Sequence, residues 1–105
     1  MQADVSVWSD CERVAQTALQ RWGRIDGLVN NAAIGPLGTV LDTDEALFER
    51  ILDVNLKGTF FMCRGAIPPL LQSEGCIVNL SSTMGHKAAA GMSIYAASKH
   101  AVLKL

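Results

Sequence analysis

Tyr95 and Lys99 stand four residues apart in "SIYAASKHAVLKL", a stretch whose small and apolar residues suit a helix. At that spacing both side chains leave the same helical face, one turn apart. A phenol alone is a poor base at neutral pH, with a pKa of about 10. A cation held beside a phenol favours the phenolate and makes proton exchange with a substrate oxygen practical. Ser82, thirteen residues before the tyrosine in "IVNLSS", adds a hydroxyl, and Asn55 in "DVNLKG" adds an amide. "NNAA" (Asn30, Asn31, Ala32, Ala33) adds a polar and then small-residue stretch after an apolar run. Each of these has a bland alternative. A Tyr-x-x-x-Lys is most often a surface pair, a double serine a turn or cap, and a double asparagine a turn. His86 and His100 have no partner at metal-ligand spacing, so no metal site is expected.

Such side chains need elements that bring them together. Ser9 and Glu12 form an S-x-x-E pattern that predicts a capping box at the start of a first helix. Val14, Ala18 and Trp22, flanked by Ala15 and Leu19, predict its buried stripe, and Gly23 its stop. Leu28 and Val29 read as a short strand. Residues 42–72 read as mostly helical, capped by Asp42 or Thr43 and interrupted at Gly58 and at Pro68-Pro69, so two helices or one bent helix are expected. Residues 76–82 read as a second strand, apolar enough to be covered on both faces, and the last helix starts near Ser93. Strands alternating with long helices predict an α/β fold with a parallel sheet. Two strands are too few for a doubly wound sheet, and Ala101, Val102 and Leu105 continue an apolar pattern without a stop. The chain is therefore expected to be one incomplete domain, 1–105: a fragment, a truncated splice product or the remnant of an interrupted gene.

Composition narrows the classes further. The 105 residues carry a formal net charge of −1 with no block of like charge, which offers nothing to nucleic acid or to an anionic membrane. No apolar run approaches the roughly 20 residues a membrane span needs. Three widely spaced cysteines, Cys11, Cys63 and Cys76, argue against a disulfide framework and for a reducing, cytoplasmic setting.

The order "NNAA", "DVNLKG", "IVNLSS", "YAASK", each on the right kind of element, resembles the short-chain dehydrogenase/reductase family along the whole chain. That resemblance implies a partial Rossmann-like, doubly wound parallel sheet and NAD or NADP as cofactor. It implies that Tyr95 is the catalytic acid/base, exchanging a proton with the hydroxyl or carbonyl oxygen of a small-molecule alcohol or ketone. Lys99 would bind the nicotinamide ribose and assist the tyrosine, and Ser82 would hold the substrate oxygen. Asn55 would hold a water that relays protons from the lysine. Asn31, Ala32 and Ala33 would run beside the adenosine ribose, and Asp4 and Val5 would contact the adenine. Ala33 stands where the family's strand-end motif commonly has glycine, a variant that adds one methyl group.

The family's Gly-x-x-x-Gly-x-Gly turn, which receives the pyrophosphate, does not occur here: Gly23 and Gly27 have its first spacing, but position 29 is Val29. The residue that selects NAD or NADP is not among the 105 either. The chain is accordingly expected to be inactive on its own. The alternative is a non-catalytic interaction module, with the helices at about 55–72 and 93–105 pairing across a two-fold axis into a homodimer or larger homo-oligomer. An epimerase or dehydratase of the extended fold also uses Tyr-x-x-x-Lys, but "NNAA" and the compact spacing favour the dehydrogenase. The loop that selects the substrate in the family is not among these residues, so sugar alcohols, steroids, acyl-chain ketones and small ketones all stay open.

Overall fold

A computed structural model describes residues 1–105. The order is helix α1 (Trp8–Trp22), strand β1 (Gly27–Asn30), helix α2 (Glu45–Leu52), a π turn (Asp53–Lys57), helix α3 (Gly58–Ser73), strand β2 (Cys76–Asn79), a 3-10 turn (Thr83–Gly85) and helix α4 (Ser93–Leu103). The strands pair in parallel, Gly27 opposite Cys76 through Asn30 opposite Asn79, as the two-strand α/β reading expects.

The start of α1 differs from the expected capping box. Val7 is the N-cap and makes no side-chain cap bond, which leaves Ser9 inside the helix. The chain enters instead through Asp4, whose Oδ1 accepts from Ser6 N and Ser6 Oγ at 2.9 and 2.7 Å. The Asp10 carboxylate in the first turn accepts from Asp4 N at 2.8 Å. Two acids fold the entry segment onto the helix, and the N-cap falls at Val7, so Ser9 lies two residues too far along to cap. The helix ends as expected, at a left-handed Gly23 whose N–H reaches Leu19 O. Cys11 and Ala15 are its buried face, pressed on Gly65 of α3. Trp22 is not part of that stripe. It is 68% exposed in the last turn, with the Arg21 guanidinium 5.4 Å from its ring.

Residues 45–73 form one helical rod with a single irregularity. Its cap is Asp44, which accepts from Leu47 N at 2.8 Å. Asp42 and Thr43 do not cap it, because both close the preceding turn onto Thr39. The expected break at Gly58 falls at the end of the π turn, where the Gly58 N–H reaches Asp53 O. A side chain at Gly58 would meet Val5 Cγ2 at 2.6 Å, so this glycine lets the Asp4–Val5 segment lie against the rod. Pro68 and Pro69 do not interrupt α3. They sit in its final turns, where the loss of two N–H donors removes only two intrahelical bonds.

β2 is shorter than expected and ends at Asn79; Leu80 N still reaches Asn30 O, and Ser82 already caps the 3-10 turn. The sheet is not covered on both faces. α3 covers one, while Val29 and Val78, register partners, are 62% and 50% exposed on the other. No second helical layer lies over that face within these residues. No helix is long and apolar enough to cross a membrane.

Candidate active site

The site is built where α4 meets the π turn and the ends of both strands. Tyr95 and Lys99 lie one turn apart in α4, and the start of that helix is tied down by Gly38 N to Gly91 O and by Ser93 Oγ to Gly38 O. The Tyr95 ring lies over Gly35, where an added Cβ would stand 3.3 Å from Cε2. Lys99 is only 5% exposed, and its Nζ donates to Leu80 O at 3.0 Å. Burying an ammonium without such a partner would be costly, so the β2 terminus fixes where the charge sits.

The loop that carries Ser82 is held by α4. Ser81 Oγ donates to Lys99 O at 2.6 Å, and His100 Nδ1 lies 2.7 Å from Gly85 O. A carbonyl only accepts, so Nδ1 carries the proton there. Ser82 Oγ accepts from Met84 N at 3.1 Å, which leaves its own O–H free to point elsewhere.

Asn55 occupies the π turn, 1% exposed, with its amide saturated. Oδ1 accepts from Ile34 N, while Nδ2 donates to Ile34 O and to Ser98 Oγ, at 2.9, 2.9 and 3.0 Å. Ser98, wholly buried, donates in turn to Tyr95 O at 2.7 Å. Asn55 therefore ties the segment after β1 to the catalytic-helix candidate. π turns tend to occur at functional positions because they re-aim one side chain without ending the helix.

Asp4, Val5, Ala32, Ala33 and Ile34 wall a groove of about 620 Å³ together with Arg50 and Val54. Asn31 follows β1 and is exposed beside it, outside that lining. The residues 31–35 thus connect two places. Ala32 and Ala33 face the groove, Ile34 binds Asn55, and Gly35 underlies Tyr95. The candidates fall into two groups: Asn55, Ser82, Tyr95 and Lys99 around α4, and Asp4, Val5, Ala32 and Ala33 around the groove. Sequence patterns do not single out Ser81, Ser98 or Arg50; Ser98, next to Lys99 in "YAASK" and three residues after Tyr95, carries a weak signal in hindsight, since a helical serine often bonds back to an earlier carbonyl. Asn30 and Asn79, paired across the strands at 2.8 Å with Cys63 Sγ 3.3 Å from Asn30 Nδ2, stiffen the sheet end below the site. Burial raises the Cys63 thiol above its usual range. All three cysteines are free thiols, and no cluster of His, Cys, Asp and Glu has the arrangement to hold a metal.

Hydrogen bonds from Ser6, with a smaller share from Arg50, hold the Asp4 carboxyl below its ordinary value. Asp10 is likewise lowered, by Asp4 N and Arg13. A folded-state pKa below the unfolded one stabilises above the unfolded value and is lost as pH falls through the folded one. Acid titration of the melting temperature should therefore show a loss beginning near pH 3.8 and continuing below it. Asp4→Asn should flatten the part of the curve due to Asp4; an unchanged curve would show that the bonds from Ser6 and Arg50 to that carboxylate contribute nothing to folding.

The family model for short chain dehydrogenases matches residues 1–105. Sorbitol-6-phosphate 2-dehydrogenase of Klebsiella pneumoniae is 37% identical over 110 residues, covering 94% of this chain and 41% of that protein. The crystal structure of a short chain dehydrogenase/reductase from Burkholderia phymatum in complex with NAD superimposes with a TM-score of 0.95 at 31% identity, over 99% of this chain and 38% of that one. ElxO with NADP bound superimposes with a TM-score of 0.93 at 30% identity, over 99% of this chain and 43% of that one. The chain spans about two-fifths of the length of these relatives. Its small parallel sheet and helices are that much of a Rossmann-like, doubly wound fold. On the strength of a family match along its whole length, the chain belongs to the short-chain dehydrogenases.

Proposed function

We propose that these residues are the reacting segment of an NAD(P)-dependent oxidoreductase that interconverts a secondary alcohol and a ketone. The observation that carries this reading is residues 32–35, which wall the groove, bind Asn55 and support Tyr95 in succession. The groove fits the adenosine half of such a cofactor: a carboxylate at Asp4, the small side chains of Ala32 and Ala33, and room for a flat ring. Asn31, exposed at the strand end, would lie beside the ribose, and Lys99 would reach the second ribose from α4. When bound, the nicotinamide supplies or receives the hydride.

Reduction of a ketone adds a hydride at carbon and a proton at oxygen. Tyr95 Oη delivers that proton and recovers it in the reverse reaction. Ser82 Oγ donates a hydrogen bond to the same oxygen and fixes its position. The Lys99 ammonium favours negative charge on the phenol oxygen during the transfer. Asn55 O, which accepts from Thr59 Oγ1 at 3.0 Å, has a second lone pair for the water that returns protons towards Lys99. The pyrophosphate-holding glycine turn is not among these residues, so the 105 residues alone are inactive in this account. The free thiols are in keeping with a cytoplasmic setting.

The test is to join the 105 residues to the flanking segments of the Klebsiella pneumoniae relative and follow nicotinamide absorbance with a secondary alcohol. Turnover that needs Tyr95 supports the reading, and turnover indifferent to Tyr95 removes it. A second reading, pairing between copies, is favoured by Phe60, Ile67 and Leu71, exposed on one face of α3, with Leu103 and Leu105 exposed at the end of α4. Sedimentation that stays monomeric at every concentration would dismiss it.

A further inference from the structure

Arg50 has no part in the acid–base chemistry, yet it reaches the groove from α2. Its Nη1 stands 3.4 Å from Asp4 Oδ2, long for a charge-assisted bond, and both side chains are roughly half exposed. Such a pair stabilises the fold little. Asp4 Oδ1 is already taken twice by Ser6, so Oδ2, whose partner is the long Arg50 contact, is the oxygen with room for an incoming donor. Asp10, the other acid in the lining, is engaged by Asp4 N and Arg13. The groove therefore offers one open acceptor, one planar cation held loosely beside it, and low walls at Ala3, Ala32 and Ala33.

That combination suits a flat, electron-rich ring that carries an amine. We infer that Arg50 recognises the purine of adenine nucleotides, its guanidinium against the ring while Asp4 Oδ2 accepts the exocyclic amine. A guanidinium stacks on π systems where an ammonium does not, so lysine is not an equivalent replacement. This role rests on the proposed adenosine groove, and it adds a residue that sets base preference.

Neutral nucleosides test it without interference from phosphate attraction to the arginine. The isotope-labelled 105-residue chain is titrated with adenosine and with inosine, whose ring has a carbonyl in place of the amine, and amide shifts are followed by NMR. Adenosine should bind more tightly than inosine, with shifts at residues 4–5 and 32–34. Arg50→Gln should weaken adenosine about three- to five-fold, and Arg50→Lys should not restore it. Equal or tighter binding by Arg50→Gln would overturn the role while leaving the groove standing. Absence of any shift up to the solubility limit of adenosine would overturn the groove itself, and the role of Arg50 with it. Arg50 is exposed enough for both variants to fold, which circular dichroism checks.

Discussion

Replacing Tyr95 by phenylalanine lowers turnover of the completed enzyme about 10²- to 10⁴-fold, the usual contribution of a positioned acid–base group. The ring itself is held by packing on Gly35, and the helix by Ser98 Oγ bonding to Tyr95 O. Neither contact uses the phenol oxygen. Tyr95→Phe should therefore fold and melt like the parent and lose only the proton transfer. Because the lost interaction belongs to the transition state, kcat should fall while KM stays nearly constant. A variant that keeps more than about a fifth of the parental kcat would take the acid–base role away from Tyr95, given the size expected of such groups.

The second large effect concerns stability. Asn55→Leu keeps the approximate size of the side chain but leaves Ile34 N and Ile34 O, in a part-buried place, without their partners. Each buried polar group left unpaired costs about 1–3 kcal/mol, so the pair costs roughly 2–6 kcal/mol. A small domain holds only about 5–15 kcal/mol in total, so the melting temperature should fall by at least about 10 °C or the fold should be lost. Asn55→Asp separates the two bonds. It retains the acceptor for Ile34 N but sets a carboxylate, 1% exposed, against Ile34 O, so above the carboxyl pKa it should melt no higher than leucine. A leucine variant that melts with the parent would mean that the π turn and residues 31–35 are held by packing alone.

Much of this was legible from residue types. The alternation of helices and strands, the parallel pairing, the stop at Gly23 and the helix that carries Tyr95 and Lys99 all follow local signals of period and turn chemistry. What escaped were choices made by tertiary contacts. Ser9 and Glu12 have the spacing of a capping box, yet Asp10 takes up Asp4 N and reorganises the entry to α1. Asp42, Thr43 and Asp44 are all able to cap α2, and only the turn at Thr39 decides among them. The π turn adds one residue to a helical period, which no 3.6-residue pattern reveals, and it puts Asn55 inward although a helical asparagine reads as surface. Ser98 and Ser81 carry no pattern because their partners are carbonyls of Tyr95 and Lys99, groups without identity in a sequence. The bare face of Val29 and Val78 escaped for the opposite reason: apolar composition predicts burial, but no layer within these residues supplies it.

In the function proposed above, these 105 residues hold the reacting side chains and the adenosine wall of a nicotinamide site without its pyrophosphate turn. Titration of the purified chain with NADH, read by nicotinamide fluorescence and by amide shifts, addresses it directly. Half-saturation in the millimolar range, with shifts confined to residues 4–5, 31–34 and 95–99, is the predicted result. Micromolar saturation would show that the missing turn is not decisive, and shifts clustered elsewhere on a folded chain would contradict the site.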